Sequence, residues 1–108
     1  MYTKSEREYY NRQRARACKR LEITVNQYNW LRRKGQELHR IYEMACNGEV
    51  SDSGEYENLV NPIYDKIGEY VKKLGLYIYY QTDPRGATIY VDKNRIPEND
   101  YTRAYCVY

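Results

Sequence analysis

Apolar residues recur at helical spacing through roughly the first 74 positions of the chain and then change to the alternation of strands. Ser5-Glu6-Arg7-Glu8 has the form of a capping box and predicts a first helix from about Glu6 to Leu21. Its apolar side is narrow, made of Tyr10, Ala17, Cys18 and Leu21 and interrupted by Arg14. Thr24-Val25-Asn26-Gln27 is a second capping-box match and opens a longer helix that should end near Asn47-Gly48. Tyr28, Leu31, Leu38, Tyr42 and Ala45 form its stripe, with Gly35 in line among them. A glycine inside a helix costs about 1 kcal/mol relative to alanine, so close helix packing is expected at Gly35. After a polar loop at 48–54, a third helix should cover about Glu55 to Leu74, with Tyr56, Leu59, Ile63, Ile67, Tyr70, Val71 and Leu74 on one side. Because that stripe runs unbroken through Pro62, one kinked helix is expected there, stopped by Gly75.

Beyond Gly75, Leu76–Thr82 and Ala87–Asp92 are rich in β-branched and aromatic residues and predict two strands. Asp83-Pro84-Arg85-Gly86 between them has the residues of a hairpin turn. Asn94–Thr102 should be a loop and Arg103–Tyr108 a third strand. The expected fold is α+β: N-terminal helices followed by a three-stranded antiparallel meander. At 108 residues it should be a single domain, with a basic helical part (1–22), two further helices (24–75) and the meander (76–108). Alternation places Leu76, Ile78, Ala87, Ile89, Val91, Ala104 and Cys106 on the face toward the third helix. Tyr77, Tyr79, Tyr90 and Tyr105 fall on the other face, as a second core layer or as an open aromatic platform.

Charge changes this picture more than composition does. The formal charge is only +3, yet residues 1–40 carry eleven Lys or Arg against four acids, a net of +7. The remainder nets −4, and 41–65 holds Glu43, Glu49, Asp52, Glu55, Glu57 and Asp65 with no base. Arg12, Arg16, Lys19 and Arg20 gather on the back of the first helix at spacings of three to four. No apolar run approaches a membrane span, and no short apolar leader precedes the first helix, so a membrane partner is not expected. Three cysteines with no C-x-x-C spacing argue against a disulfide framework or a zinc site. They are expected to be reduced and mostly buried, in a cytoplasm.

Catalytic patterns find no support. One histidine, His39, with no nucleophile motif offers no triad, and no phosphate-cradling glycine loop follows a strand. Gly75-Leu76-Tyr77 with Thr88-Ile89-Tyr90-Val91 resembles the paired strands of GIY-YIG nucleases. Asp92 stands where that family has glycine, and sixteen residues beyond it are too few for the family's catalytic helices. Asp92 and Lys93 are adjacent and so point to opposite faces, which breaks the metal-binding pattern of restriction-type nucleases. No enzyme activity, cofactor or metal is expected.

The segment Leu74–Val91, with its tyrosine-rich strand and Gln81-Thr82-Asp83-Pro84-Arg85-Gly86 hairpin, resembles small accessory proteins of phages and prophages. Ile96-Pro97 and a short last strand fit the later part of that plan. The resemblance carries no catalytic residues. It implies a bacterial host cell and the kind of role such proteins commonly have: inhibition of host enzymes and immune systems, anti-CRISPR action included. Three functions follow. The first is a protein–protein inhibitor of a host nucleic-acid enzyme, using Glu49, Asp52, Glu55 and Glu57, the sheet tyrosines, and Asp83 and Arg85 at the hairpin tip. The second is a nucleic-acid binder using Arg12, Arg16, Lys19 and Arg20 with the tyrosines stacking on bases. The third is a homo-oligomeric assembly subunit with the tyrosine face buried in a like copy.

Overall fold

The computed structural model describes residues 3–51, 54–83 (only the backbone at Asp83), 86–97, 100–101 and 104–108. Three helices, α1 (Lys4–Leu21), α2 (Val25–Cys46) and α3 (Glu55–Lys73), precede three strands, β1 (Tyr77–Asp83), β2 (Gly86–Asp92) and β3 (Tyr105–Cys106). The strands form one antiparallel sheet in the order β1-β2-β3, so the α+β meander read from the periodicity is the fold.

Local chemistry sets the helix ends. Thr24 and Gln27 exchange both capping-box hydrogen bonds at the start of α2. At α1 the cap is Thr3, two residues before the expected Ser5, and its hydroxyl accepts from the Glu6 N–H at 3.2 Å. Thr3…Glu6 and Ser5…Glu8 are overlapping Thr/Ser-x-x-Glu matches, and the earlier one lengthens the helix. α3 passes through Pro62 as one element.

The core lies between α2, α3 and the inner sheet face. Leu21, Leu31, Leu38, Val60, Ile67, Val71, Ile89 and Val91 are buried in it, together with Val107 and Tyr108 of the C-terminal segment. Leu59, expected within it, is 41% exposed, and its neighbour Val60 is buried instead. At 100° per residue Val60, Ile67 and Val71 fall within about 40° of one line, while Leu59 falls about 80° from Ile67, at the stripe's edge. Gly35 is a point of close approach, though not to a helix. The C-terminal segment crosses α2 there, and a Cβ on Gly35 would lie 2.1 Å from the Val107 carbonyl oxygen.

The ladder registers fix the sheet faces. Ile78, Tyr80 and Thr82 sit opposite Val91, Ile89 and Ala87, on the inner face; Tyr77, Tyr79 and Gln81 sit opposite Asp92, Tyr90 and Thr88, on the outer. In β3, Tyr105 pairs with Val91 and Cys106 with Tyr90. Tyr105 is therefore an inner-face residue and Cys106 an outer one, the reverse of the expected assignment. Alternation along β3 holds, but the loop from 93 to 104 decides which parity meets the core. β2 runs past the two-residue β3, and the Tyr64 hydroxyl of α3 serves the backbone exposed there. It donates to the Ala87 carbonyl at 3.0 Å and accepts from the Ala87 N–H at 3.2 Å.

Candidate binding surfaces

The predicted tyrosine platform is partly built and partly closed. Tyr77 is exposed, whereas Tyr79 and Tyr90 are half-buried, 6.4 Å apart between ring centroids. Tyr101, which strand alternation could not place because it belongs to a loop, lies over both. Its ring stacks on Tyr79 at 5.5 Å and 21°, and lies 4.8 Å from Tyr90. Its hydroxyl accepts a hydrogen bond from Gln81 Nε2 at 2.6 Å. The only sequence signal for it was the single aromatic side chain of the loop at 94–102. The outer face is thus an aromatic cluster with Tyr77 beside it, not four open rings.

Tyr105 packs inward against Tyr28, with ring centroids 5.7 Å apart. Burial, and then the hydrogen bond shared with Tyr28, push its phenol far above the ordinary value. Tyr80 is raised as well, by burial and by the nearby Asp65 carboxylate. An unfolded chain releases these protons near pH 10 while the fold holds them, so the unfolded state binds fewer protons above that pH. The stabilisation is complete below about pH 10 and is lost progressively as pH rises further. Denaturant midpoints measured from about pH 9 to 11.5 should fall with pH, and Tyr105→Phe should flatten the slope. An unchanged slope in that variant would put the alkaline sensitivity elsewhere.

The basic residues fall where the helical wheel put them. Arg12, Arg16, Lys19 and Arg20 are exposed along one arc of α1. Arg20 is not free: its guanidinium lies 3.3 Å from the Asp92 carboxylate, and Lys93 pairs with Glu22 at 2.5 Å. These two ion pairs tie the end of α1 to the end of β2. No described carboxylate pairs with Arg12, Arg16 or Lys19. Arg16 and Arg20 share a recess of about 300 Å³ with Gln13, Ala17, Ala104, Tyr105 and Cys106, so the structure joins two of the basic candidates to one candidate tyrosine.

The acidic candidates lie at the other end, around the loop joining α2 to α3. Glu49, Glu55 and Glu57 are exposed; Asp52 and Arg85 fall outside the described residues, as does the side chain of Asp83. Glu55 and Glu57 occupy the first turn of α3, where negative charge is favoured by the helix dipole, and Glu55 accepts from the Ser51 N–H at 3.4 Å. Two residues apart on a helix are about 200° apart, so these two carboxylates look to opposite sides of α3. On the Glu55 side, exposed Leu59 borders a groove of about 370 Å³ between α2 and α3, lined by Glu37, Arg40, Ile41, Met44 and Ile63. Sequence reasoning assigned Leu59 to the core and so missed this groove.

No family model, curated protein or solved structure matches the chain.

The remaining chemistry is local. Cys46 and Cys106 are exposed and Cys18 half-buried, against the expectation of mostly buried thiols. Cys46 ends α2 and Cys106 takes the outer sheet face, so neither reaches the core. Burial pushes the Cys18 thiol up, partly offset by Arg14, which makes it less nucleophilic. His39 Nε2 lies 2.8 Å from Glu43 Oε1 on the same exposed helix face. Among the described residues no group of three His, Cys, Asp or Glu side chains converges as metal ligands, and no helix is long and apolar enough to cross a membrane.

Proposed function

We propose that this chain is a non-catalytic binding protein that acts by protein–protein contact, as an inhibitor of a host nucleic-acid enzyme or immune complex of the kind its phage-like hairpin segment implies. The observation that carries this reading is the end of the α2–α3 hairpin. There exposed Leu59 and the apolar groove of Ile41, Met44 and Ile63 are rimmed by Glu37 and Arg40, with exposed Glu55 one turn before Leu59 on the same side of α3 and the exposed Glu49 and Glu57 at the same end of the hairpin. An apolar anchor rimmed by charge is the form that protein interfaces favour, and the acids complement the basic surface that a nucleic-acid enzyme presents. The nucleic-acid reading is supported less. Tyr101 occupies the ring of Tyr79, Tyr105 is turned into the core, and Arg20 is neutralised by Asp92.

Two multiple variants test the choice. Changing Glu49, Asp52, Glu55 and Glu57 to lysine should abolish capture of a protein partner from a nuclease-treated bacterial lysate. Replacing Arg12, Arg16, Lys19 and Arg20 with alanine should leave that capture intact. If the chain binds nucleic acid, the order reverses, and each lost phosphate contact lowers the slope of log affinity against log salt by about 0.7–0.9. Both variants leave the apolar stripes in place, which melting curves check first.

A further inference from the structure

We infer that the outer edge of β1 is a self-complementary docking strand, and that a second copy of this chain pairs with it antiparallel about Tyr80. The argument begins with which backbone groups the sheet leaves over. In an antiparallel ladder successive residues turn their N–H and C=O alternately toward one neighbour and the other. The Ile89 carbonyl accepts from the Val107 N–H at 2.8 Å, and both backbone groups of Ala87 are held by Tyr64. Ala87, Ile89 and Val91 therefore turn away from β1, and their ladder partners Thr82, Tyr80 and Ile78 turn away from β2. Tyr77, Tyr79, Gln81 and Asp83 bond inward. The N–H and C=O of Ile78, Tyr80 and Thr82 form an outward row that meets no described backbone group.

The two edges of the sheet are treated differently. On the far side β3 is only two residues long, α1 lies alongside it, and Tyr64 takes the backbone that β3 does not reach. Among the described residues β1 has none of those protections. It is seven residues long, contains no proline or lysine, and pairs one-to-one with β2 from Tyr77 to Asp83 without a bulge. An open row of this kind is completed by another extended backbone.

Charge and register choose the second copy. A two-fold centred on Tyr80 overlaps all seven residues, pairing Tyr80 with Tyr80, Ile78 with Thr82 and Tyr79 with Gln81 across the axis. The three outward residues then meet one another, as hydrogen-bonded pairs require. Asp83, the strand's single charged residue, meets Tyr77 of the second copy, so the two aspartates stand at opposite ends. Tyr80 and Tyr77, both exposed in the single chain, would be covered. Such an isologous pairing joins the two sheets into one of six strands.

Sedimentation equilibrium from about 5 to 500 µM should show the mass rising from 13.1 kDa toward twice that value. Over the same range, amide exchange at Ile78, Tyr80 and Thr82 should slow about tenfold or more, while Tyr79 and Gln81 stay protected throughout. Thr82→Pro removes an N–H that the β1–β2 ladder does not use, and Tyr80→Lys sets two like charges opposite each other at the axis. Each should weaken association about tenfold or more. A mass of 13.1 kDa at every concentration would overturn the inference. So would concentration-dependent protection confined to other elements, or self-association indifferent to both substitutions in folded protein. The exchange pattern of the unaltered chain decides the matter even if a variant fails to fold.

Discussion

Gly35→Ala should destabilise the protein, although alanine is the better helix former by about 1 kcal/mol. The added methyl carbon would stand 2.1 Å from the Val107 carbonyl oxygen and 3.2 Å from its carbon, both backbone atoms with no rotamer to yield. The C-terminal segment must lift from α2, which exposes Val107 and Tyr108 and strains the Val107–Ile89 hydrogen bond. Overpacking of this kind costs about 1–3 kcal/mol, occasionally more, and should exceed the gain in propensity. A denaturant titration should show a lower midpoint. Deleting Val107 and Tyr108 should reverse the sign, so that in the shortened chain Gly35→Ala raises stability by about 1 kcal/mol. A higher midpoint for Gly35→Ala in the full chain would mean that the C-terminal segment does not press on α2.

Ile67→Ala should cost about 2–5 kcal/mol, the range for truncating a large aliphatic side chain in a packed core. Ile67 is 0% exposed and sits at the middle of the buried line of α3, with Val60 and Val71 on either side of it in the chain. The informative comparison is Leu59→Ala, two turns earlier on the same apolar stripe. Leu59 is 41% exposed, so its truncation leaves no enclosed void and should cost less than about 1 kcal/mol. If the proposed function is correct, that same change should weaken partner capture, because it removes the exposed apolar group at the groove. Equal losses of stability at both positions would return Leu59 to the core and remove the groove from the functional argument.

The legible parts of this protein were those set by neighbours in sequence. Thr24 and Gln27 cap α2 because both partners lie within one turn. Ile67 and Val71 are buried because a 3.6-residue period selects one side of a helix whatever that side faces. The hairpin followed from two alternating runs joined by a turn sequence, and the basic arc of α1 from spacing alone. Wherever the outcome hung on distant residues, tertiary structure decided it. Tyr105 and Cys106 exchanged faces because the loop from 93 to 104, with no period of its own, sets the parity with which β3 arrives beside β2. Tyr101 came to lie on Tyr79 and Tyr90 by the same loop. Gly35 announced a close approach, but glycine carries no mark of what approaches, and the visitor was the carbonyl of Val107, far along the chain. Leu59 lies at the edge of the stripe that Val60, Ile67 and Val71 centre, and how far α2 and the sheet reach around α3 decided that the edge stays exposed. Hydrophobic pattern specifies that a face will be covered; the partner that covers it is a property of the assembled chain.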